Sequence, residues 1–402
     1  MKKKLTLLLT GLMVFSLVAC GKPEPAPESS DPVVSSTVEE SVSEVVESSS
    51  ESEAEVEVNY SLKDVFAEHG MKIGTCVNET MTKNATAKNI ILSQFSSLTM
   101  ENAMKPDSTL KKGKSVAAGD IVVEFSDEAN KLMKFAKENG LALRGHTLVW
   151  YSQTPDWIFY ENFDTGSKQF VSRDVMLARM ESMIKQTFEY IENSGYTDVF
   201  YAFDVVNEAW MEDGSMRDNN WKKIIGDDYL WYAFYFADKY APETIDLYYN
   251  DYNEQFKTNA LVKFVDTLRD EDGNYLIDGV GFQAHLYTSD NLNDYFRLVD
   301  KIAETGLKIQ LTELDVQLGK WQAPLLPTDE NLQLQGRFTY DLINGLFERV
   351  DAGTLNMDSL TFWGVSDSMS WRKEYNPCLY NKSYEPKYEY YGALQIKEKA
   401  GY

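Results

Sequence analysis

Along residues 60–402 the chain returns again and again to short apolar runs that close on polar residues. Punctuated by Gly, Pro and Asn come "MKIGTCV" from 71, "FSSLTMEN" from 95, "LALRGHTLVW" from 141 and "YAFDVVNE" from 201. A second set follows: "TIDLYYNDYN" from 244, "VGFQAHLY" from 280, "KIQLTELDV" from 308 and "LTFWGVSD" from 360. Each has the length and the β-branched and aromatic content of a strand covered on both faces. Between them the spacing predicts helices over 127–140, 174–195 and 292–306. In the first, Ala129, Leu132, Met133, Phe135 and Ala136 share one side and Gly140 is a stop. Eight such alternations in one domain predict an α/β fold, the (β/α)8 TIM barrel, because buried parallel strands joined by helices close more readily than they stay open at this number.

The polar residues fall in one place. Glu101 and Asn102, His146 and Trp150, Asn207 and Glu208, Asn250 and Asp251, Gln283 and His285, Glu313 and Asp315, and Trp363 and Asp367 all sit at C-terminal strand ends. In a barrel these ends converge on one face, where active sites are built. Taken singly, Asn207 and Glu208 would pass for a helix N-terminus and Glu313 for a solvated loop carboxylate. Their alignment with five other sets is what a cap does not explain.

Glu208 ends the fourth run and Glu313 the seventh, so the two carboxylates are expected to face each other across the cleft. Glycosidic cleavage needs such a pair, one to protonate the leaving oxygen and one to meet the cationic sugar carbon. Asp315, two residues on, and His285, from the neighbouring run, are expected to form a hydrogen-bonded chain that keeps Glu313 ionised as nucleophile. Glu208 would need a raised pKa to act as acid, then as base once Glu313 is esterified. Of three histidines, His146 and His285 fall in the cleft, and both are assigned to support. No His spacing of the HExxH kind is present, and neither metal nor cofactor is implied. Trp150, Trp363 and Trp371 can stack on sugar faces, while Asn102, Lys105, Gln153 and Gln283 offer directional bonds to neutral hydroxyls.

The N-terminal segment has a different character. Residues 1–20 place three lysines before an apolar stretch ending "LVAC", which resembles a bacterial lipoprotein signal with Cys20 as the lipidated residue. Residues 21–59 are rich in Ser, Glu, Val and Pro, hold no aromatic residue, and read as a disordered acidic tether. An exported, cell-surface lipoprotein of a bacterium is expected, touching the membrane through its lipid alone. Of the −24 total charge, residues 1–20 carry +3 and residues 21–59 carry −10, which leaves −17 on residues 60–402. That excludes nucleic acid as a partner and favours a neutral substrate. Nothing in the sequence sets an oligomeric state, and a monomer is expected.

The motifs "ENAMKP" (101–106), "LRGHTLVW" (143–150), "SQTPDW" (152–157), "DVVNEA" (204–209), "GFQAHL" (281–286), "TELDV" (312–316) and "FWGVSDSMSW" (362–371), in this order, resemble glycoside hydrolase family 10, the retaining endo-1,4-β-xylanases. The resemblance implies Glu208 as acid/base and Glu313 as nucleophile, supported by His285 and Asp315, with Asn207 on the sugar 2-hydroxyl. It further implies that Glu101, Asn102, Lys105, His146, Trp150, Gln153 and Trp363 bind the glycone side, with Gln283 near the cleavage point and Trp371 closing over the cleft. The substrate implied is xylan and its oligosaccharides. One departure is that Tyr151 follows Trp150 where the family commonly has His, so glycone-side affinity or the pH profile is expected to differ. Cys76 ends the first run and Cys378 follows the eighth; these runs are neighbours in a closed barrel, which makes a disulfide between them an expectation. Two other readings stay open on sequence: a β-1,4-glucan hydrolase on the same barrel, and a tethered glycan-binding protein with a dead site.

Overall fold

The computed structural model describes residues 60–402. Cys20 and the signal and tether expected over 1–59 lie outside the described residues. Eight parallel strands form the barrel: β1 (Lys72–Val77), β2 (Ser97–Met100), β3 (Ala142–Trp150), β4 (Phe200–Asn207), β5 (Asp246–Asp251), β6 (Gly279–Phe282), β7 (Lys308–Gln317) and β8 (Met357–Phe362). Each pairs with the next, and β8 pairs with both β7 and β1, which closes the sheet. All eight predicted runs are therefore strands, and nearly every strand residue is buried, as helices outside and side chains inside require.

The helices follow their sequence signals. Asp127–Glu138 starts where the Ser126 side chain accepts the Ala129 N–H, and buries Ala129, Leu132, Met133 and Ala136. Arg173–Ser194 starts at Ser172 in the same way and stops at Gly195, whose φ of 76° is open to glycine without strain. The helix predicted at 292–306 is Leu292–Ala303.

The sixth run is interrupted. Its barrel strand ends at Phe282, Ala284 takes a left-handed φ of 56°, and His285–Tyr287 forms a separate short strand on the extension of β7, with His285 opposite Asp315. The turn lifts Gln283 and His285 to the barrel mouth from two different directions, which a uniform strand would not do.

The barrel interior carries a buried ion pair. Arg144 of β3 is bidentate to Asp204 of β4, and its Nε donates to Gln310 of β7 at 2.8 Å. Gly145 lies against Phe203, which would stand 2.2 Å from any Cβ added there, so β3 and β4 meet only because that side chain is missing.

The expected Cys76–Cys378 disulfide is absent; both thiols are free and buried. Cys378 is fixed by contacts within the loop after β8. Its N–H donates to Asp367 at 2.9 Å, and its sulfur fills the turn at Gly364, where an added Cβ would lie 2.9 Å away. Cys76 sits inside the barrel wall opposite Thr99. Burial raises the Cys76 thiol, and neighbouring strands bring the two thiols near enough for Cys378 to add to that rise, yet they remain unbonded.

Candidate active site

Glu208 follows directly on β4. Its backbone is left-handed (φ 57°), and its N–H donates to the Asn250 carbonyl at 2.8 Å, which turns the side chain inward over the mouth instead of along the strand. Burial raises the Glu208 carboxyl above the ordinary glutamate value, and the Asp251 and Glu313 charges add to this, against the hydrogen bond from Gln283. That bond, from Gln283 Nε2 to Glu208 Oε1, is 2.9 Å long.

Glu313, on β7, is tuned the other way. Burial alone would raise its carboxyl, but the nearby His285 imidazolium and Lys105 ammonium help to hold it down at about 2. His285 lies between two acids, its Nε2 at 3.4 Å from Glu313 Oε2 and its Nδ1 at 3.0 Å from Asp315 Oδ2. Burial would lower the imidazole, yet Asp315 and Glu313 push it up to about 10, so it is an imidazolium. Asp315 is fixed in turn by Gln317 Nε2 at 2.8 Å and the Trp371 indole N–H at 3.1 Å. The three groups expected to form a hydrogen-bonded chain are thus neighbours, with Trp371 beside them, held by charge proximity while His285 Nδ1 makes no well-aligned hydrogen bond.

Two amides link the carboxylates. Asn250 Nδ2 donates to Glu313 Oε1 at 2.9 Å and to Asn207 Oδ1 at 3.0 Å, while Gln283 Nε2 reaches Asn207 Oδ1 at 3.3 Å as well as Glu208. Oδ1 of Asn207 is thus occupied from both sides, and its Nδ2 donates to Glu208 Oε1 at 3.3 Å, which leaves one N–H of that amide for a sugar hydroxyl.

Glu101, Asn102, Lys105, His146, Trp150, Gln153, Asn207, Glu208, Gln283, His285, Glu313, Trp363 and Trp371 all line one cavity of about 280 Å³. Every residue predicted for catalysis, its support or sugar binding is therefore in it except Asp315, which stands behind His285. Lys105 is central, donating to Asn102 Oδ1 at 3.0 Å and Gln153 Oε1 at 2.8 Å with its ammonium 5.1 Å from the Trp150 ring. His146 packs edge-on to Trp363 at 5.7 Å, its Nδ1 lying 2.8 Å from Asp204 Oδ2. The buried Trp150 indole N–H makes no well-aligned hydrogen bond, but it lies toward the Glu208 carboxyl and works against the rise that burial imposes on it.

A second cavity of about 780 Å³ shares Glu208, Gln283, His285 and Trp371 with the first, so the two form one cleft with Glu208 at the junction. It is lined also by Tyr151, Tyr252, Trp321 and Arg372. This corrects the expectation for Tyr151, which lies on the side opposite the predicted glycone residues. Burial and the Glu208 charge push its phenol up to about 12. Arg217 lies over its ring at 4.3 Å, donates from Nε to the Glu208 carbonyl at 2.9 Å and from its terminal nitrogen to the Tyr252 hydroxyl at 2.9 Å.

Arg144, Asp204, Arg217, Tyr252 and Trp321 were not singled out from sequence. Asp204 alone left a signal, a carboxylate inside an otherwise apolar run, where burial demands a cationic partner. Among the described residues no group of three or more His, Cys, Asp or Glu is placed to hold a metal.

Known proteins match this arrangement. The chain is 38% identical over 340 residues to the bifunctional endo-1,4-β-xylanase XylA of Ruminococcus flavefaciens, covering 82% of this chain and 33% of that one. It is 32% identical over 357 residues to endo-1,4-β-xylanase A of Caldicellulosiruptor saccharolyticus, covering 84% and 96%. The chain spans about a third of the length of XylA and of the Acetivibrio thermocellus endo-1,4-β-xylanase Y. Among solved structures, the CBM22-1 and GH10 modules of Clostridium thermocellum endo-1,4-β-D-xylanase 10B, complexed with xylohexaose, superimpose with a TM-score of 0.77 at 31% identity, covering 86% of this chain and 69% of that one. The family model for glycosyl hydrolase family 10 matches residues 61–396. Matched over nearly all of the described barrel, with one carboxylate directly after its fourth strand and the other on its seventh, this chain belongs to glycosyl hydrolase family 10.

Proposed function

We propose that this protein is an endo-1,4-β-xylanase that cleaves internal bonds of xylan with retention. The opposite tuning of Glu208 and Glu313 within one cleft carries this reading. Glu208, protonated, gives its proton to the glycosidic oxygen as Glu313 attacks the anomeric carbon, so the C–O bond breaks and a glycosyl ester forms. Esterification removes the Glu313 charge that had helped to raise the Glu208 carboxyl, and Glu208, now an anion of lowered pKa, takes a proton from water as it attacks the ester carbon. The sugar leaves with its original configuration and both carboxyls return to their first state.

The xylanase names of the matched relatives and the open, two-sided cleft support a polymeric substrate cut internally. A proton NMR time course on a linear xylo-oligosaccharide tests the reading. The β-anomer is expected first among the new reducing ends. An α-anomer appearing first would overturn Glu313 as nucleophile, and cleavage of β-glucan without cleavage of xylan would overturn the substrate.

The protein is further proposed to act as a monomer at a bacterial cell surface, lipidated at Cys20 and carried clear of the membrane by residues 21–59. The "LVAC" sequence and the acidic, aromatic-free stretch after it support this. Cys20→Ser is expected to release active enzyme into the medium; retention of that variant on the cells would overturn lipid anchoring.

A further inference from the structure

Of the polar residues that close the barrel strands, Asp251 does not line the cleft. It ends β5 one residue after Asn250, and because successive side chains of a strand point to opposite faces, it turns away from the barrel mouth and lies against the helix Glu254–Thr267. There it is buried beside the equally buried Lys257, whose ammonium reaches Asp251 Oδ1 at 2.6 Å. Burial favours the neutral carboxyl, and the lysine works against that. A buried ion pair is a poor source of stability, because desolvation of both charges offsets their attraction, so its use is to be sought in what it holds.

Its contacts lead to the acid/base. Asp251 Oδ2 accepts from the Tyr249 hydroxyl, and that same hydroxyl accepts the N–H of Ala209, the residue after Glu208, at 3.0 Å. The Asp251 carbonyl accepts the Gln283 N–H at 2.8 Å, and Gln283 is the residue whose side-chain amide donates to Glu208 Oε1. Asp251 therefore reaches Glu208 twice, through the peptide that follows it and through its hydrogen-bond donor. Glu208 needs this hold. Its left-handed φ of 57° is one that a glutamate keeps only where its surroundings impose it. The Asn250 carbonyl binds the Glu208 N–H and Arg217 binds the Glu208 carbonyl, so the Tyr249 hydroxyl is a third restraint on the same short stretch of backbone.

We propose that Tyr249, anchored by the Asp251–Lys257 pair, is a positioning residue for Glu208: its hydroxyl fixes the peptide after the acid/base and so the direction in which the carboxyl meets the glycosidic oxygen. This rests on the glycosidase reading above and adds to it three side chains that never touch the substrate. The Asp251 charge acts from the same place, adding to the burial that raises the Glu208 carboxyl.

Tyr249→Phe removes the hydroxyl and keeps the ring against Phe264. Wild type and variant are compared by kcat/KM on xylohexaose, whose sugar leaving group needs a proton, and on a dinitrophenyl β-xylobioside, whose acidic phenol leaves without one. Loss of one hydrogen bond that serves proton delivery is expected to lower kcat/KM on xylohexaose roughly two- to tenfold and to leave the aryl substrate at the wild-type value. The ratio of the two is read on one preparation, so any unfolded protein cancels from it. Tyr190→Phe, which takes a hydroxyl bonded to Asn130 from between two outer helices, is expected to leave the ratio unchanged. An unchanged ratio in Tyr249→Phe, whether from equal losses or from none, would overturn the positioning role and leave the glycosidase reading intact. The same fall in Tyr190→Phe would overturn it too, because general loosening would then account for the effect. Should Tyr249→Phe yield no folded protein, Asp251→Asn, which keeps the shape of the anchor without its charge, is read by the same ratio with the same outcomes. A wild-type enzyme inactive on both substrates would overturn the glycosidase reading and the positioning role together.

Discussion

The side-chain amide of Asn250 donates to Glu313 across 2.9 Å, and its second hydrogen goes to Asn207, the residue next to Glu208. Its own carbonyl oxygen accepts from the Thr312 hydroxyl at 2.6 Å, which fixes the amide's orientation. One neutral side chain on β5 thereby holds the nucleophile and the neighbour of the acid in a common frame. Asn250→Ala is expected to lower kcat roughly ten- to a hundredfold, the value of a hydrogen bond to a charged group, with little change in KM. Steady-state kinetics that showed only a raised KM would assign Asn250 to substrate binding instead.

The carboxyls themselves should separate by leaving group. Glu208→Ala is expected to lose on the order of 10²- to 10⁴-fold on xylan, which needs its proton, and much less on an aryl xylobioside with an acidic phenol. Glu313→Ala is expected to be inactive on both, since no leaving group replaces the nucleophile. Equal losses in the two variants on the aryl substrate would contradict the assigned roles.

In the pH profile of kcat/KM the two limbs belong to different residues. The rate falls with decreasing pH as Glu313 takes up a proton, which its value of about 2 places far into acid. It falls with increasing pH as Glu208 loses its proton, and the burial that raises this carboxyl moves that limb above the usual glutamate range. Glu208→Gln should abolish the alkaline limb on an aryl substrate; persistence of that limb would assign it to another group.

Stability should record the His285 imidazolium. Its pKa is raised from 6.5 to about 10 in the folded state, so its contribution is complete below the unfolded value and is lost as pH rises through the folded one. His285→Gln leaves Glu313 and Asp315 buried without their cation, at a cost on the order of 3–5 kcal/mol near pH 6. Denaturation curves of wild type and variant are expected to converge above about pH 10. A constant gap from pH 6 to 11 would show that packing, not charge, is what His285 supplies.

Tyr151 can be tested against the histidine more usual at its position. Tyr151→Phe keeps the ring under Arg217, while Tyr151→His replaces it by a group that can itself become a cation. Arg217 also holds the Glu208 carbonyl, so the His variant is expected to lose about two- to thirtyfold in kcat/KM, the range of a cation–π contact, and the Phe variant to stay near wild type. The reverse order would show that the phenol oxygen, not the ring face, is what matters.

The barrel and most of its mouth were legible in the sequence because their determinants are local. Burial of a strand on both faces demands a continuous apolar run, and a polar residue at its end, as in "DVVNE" or "LTELD", is a break that needs no partner to be seen. Asp204 and Arg144 are 60 residues apart, and only the closed barrel makes them an ion pair that steadies His146. Arg217 lies in a loop without periodicity, so its hold on Glu208, Tyr151 and Tyr252 is invisible until the loop folds back. The side of the cleft that Tyr151 faces and the break at Ala284 likewise turn on backbone direction at single residues. Sequence by itself determined which residues must be buried and which chemical groups reach the mouth, since hydrophobic periodicity and residue type are properties of the chain. Tertiary structure alone decided which of those groups touch, because the distances that set charge, pKa and hydrogen bonding arise only when strands far apart in sequence close into one ring.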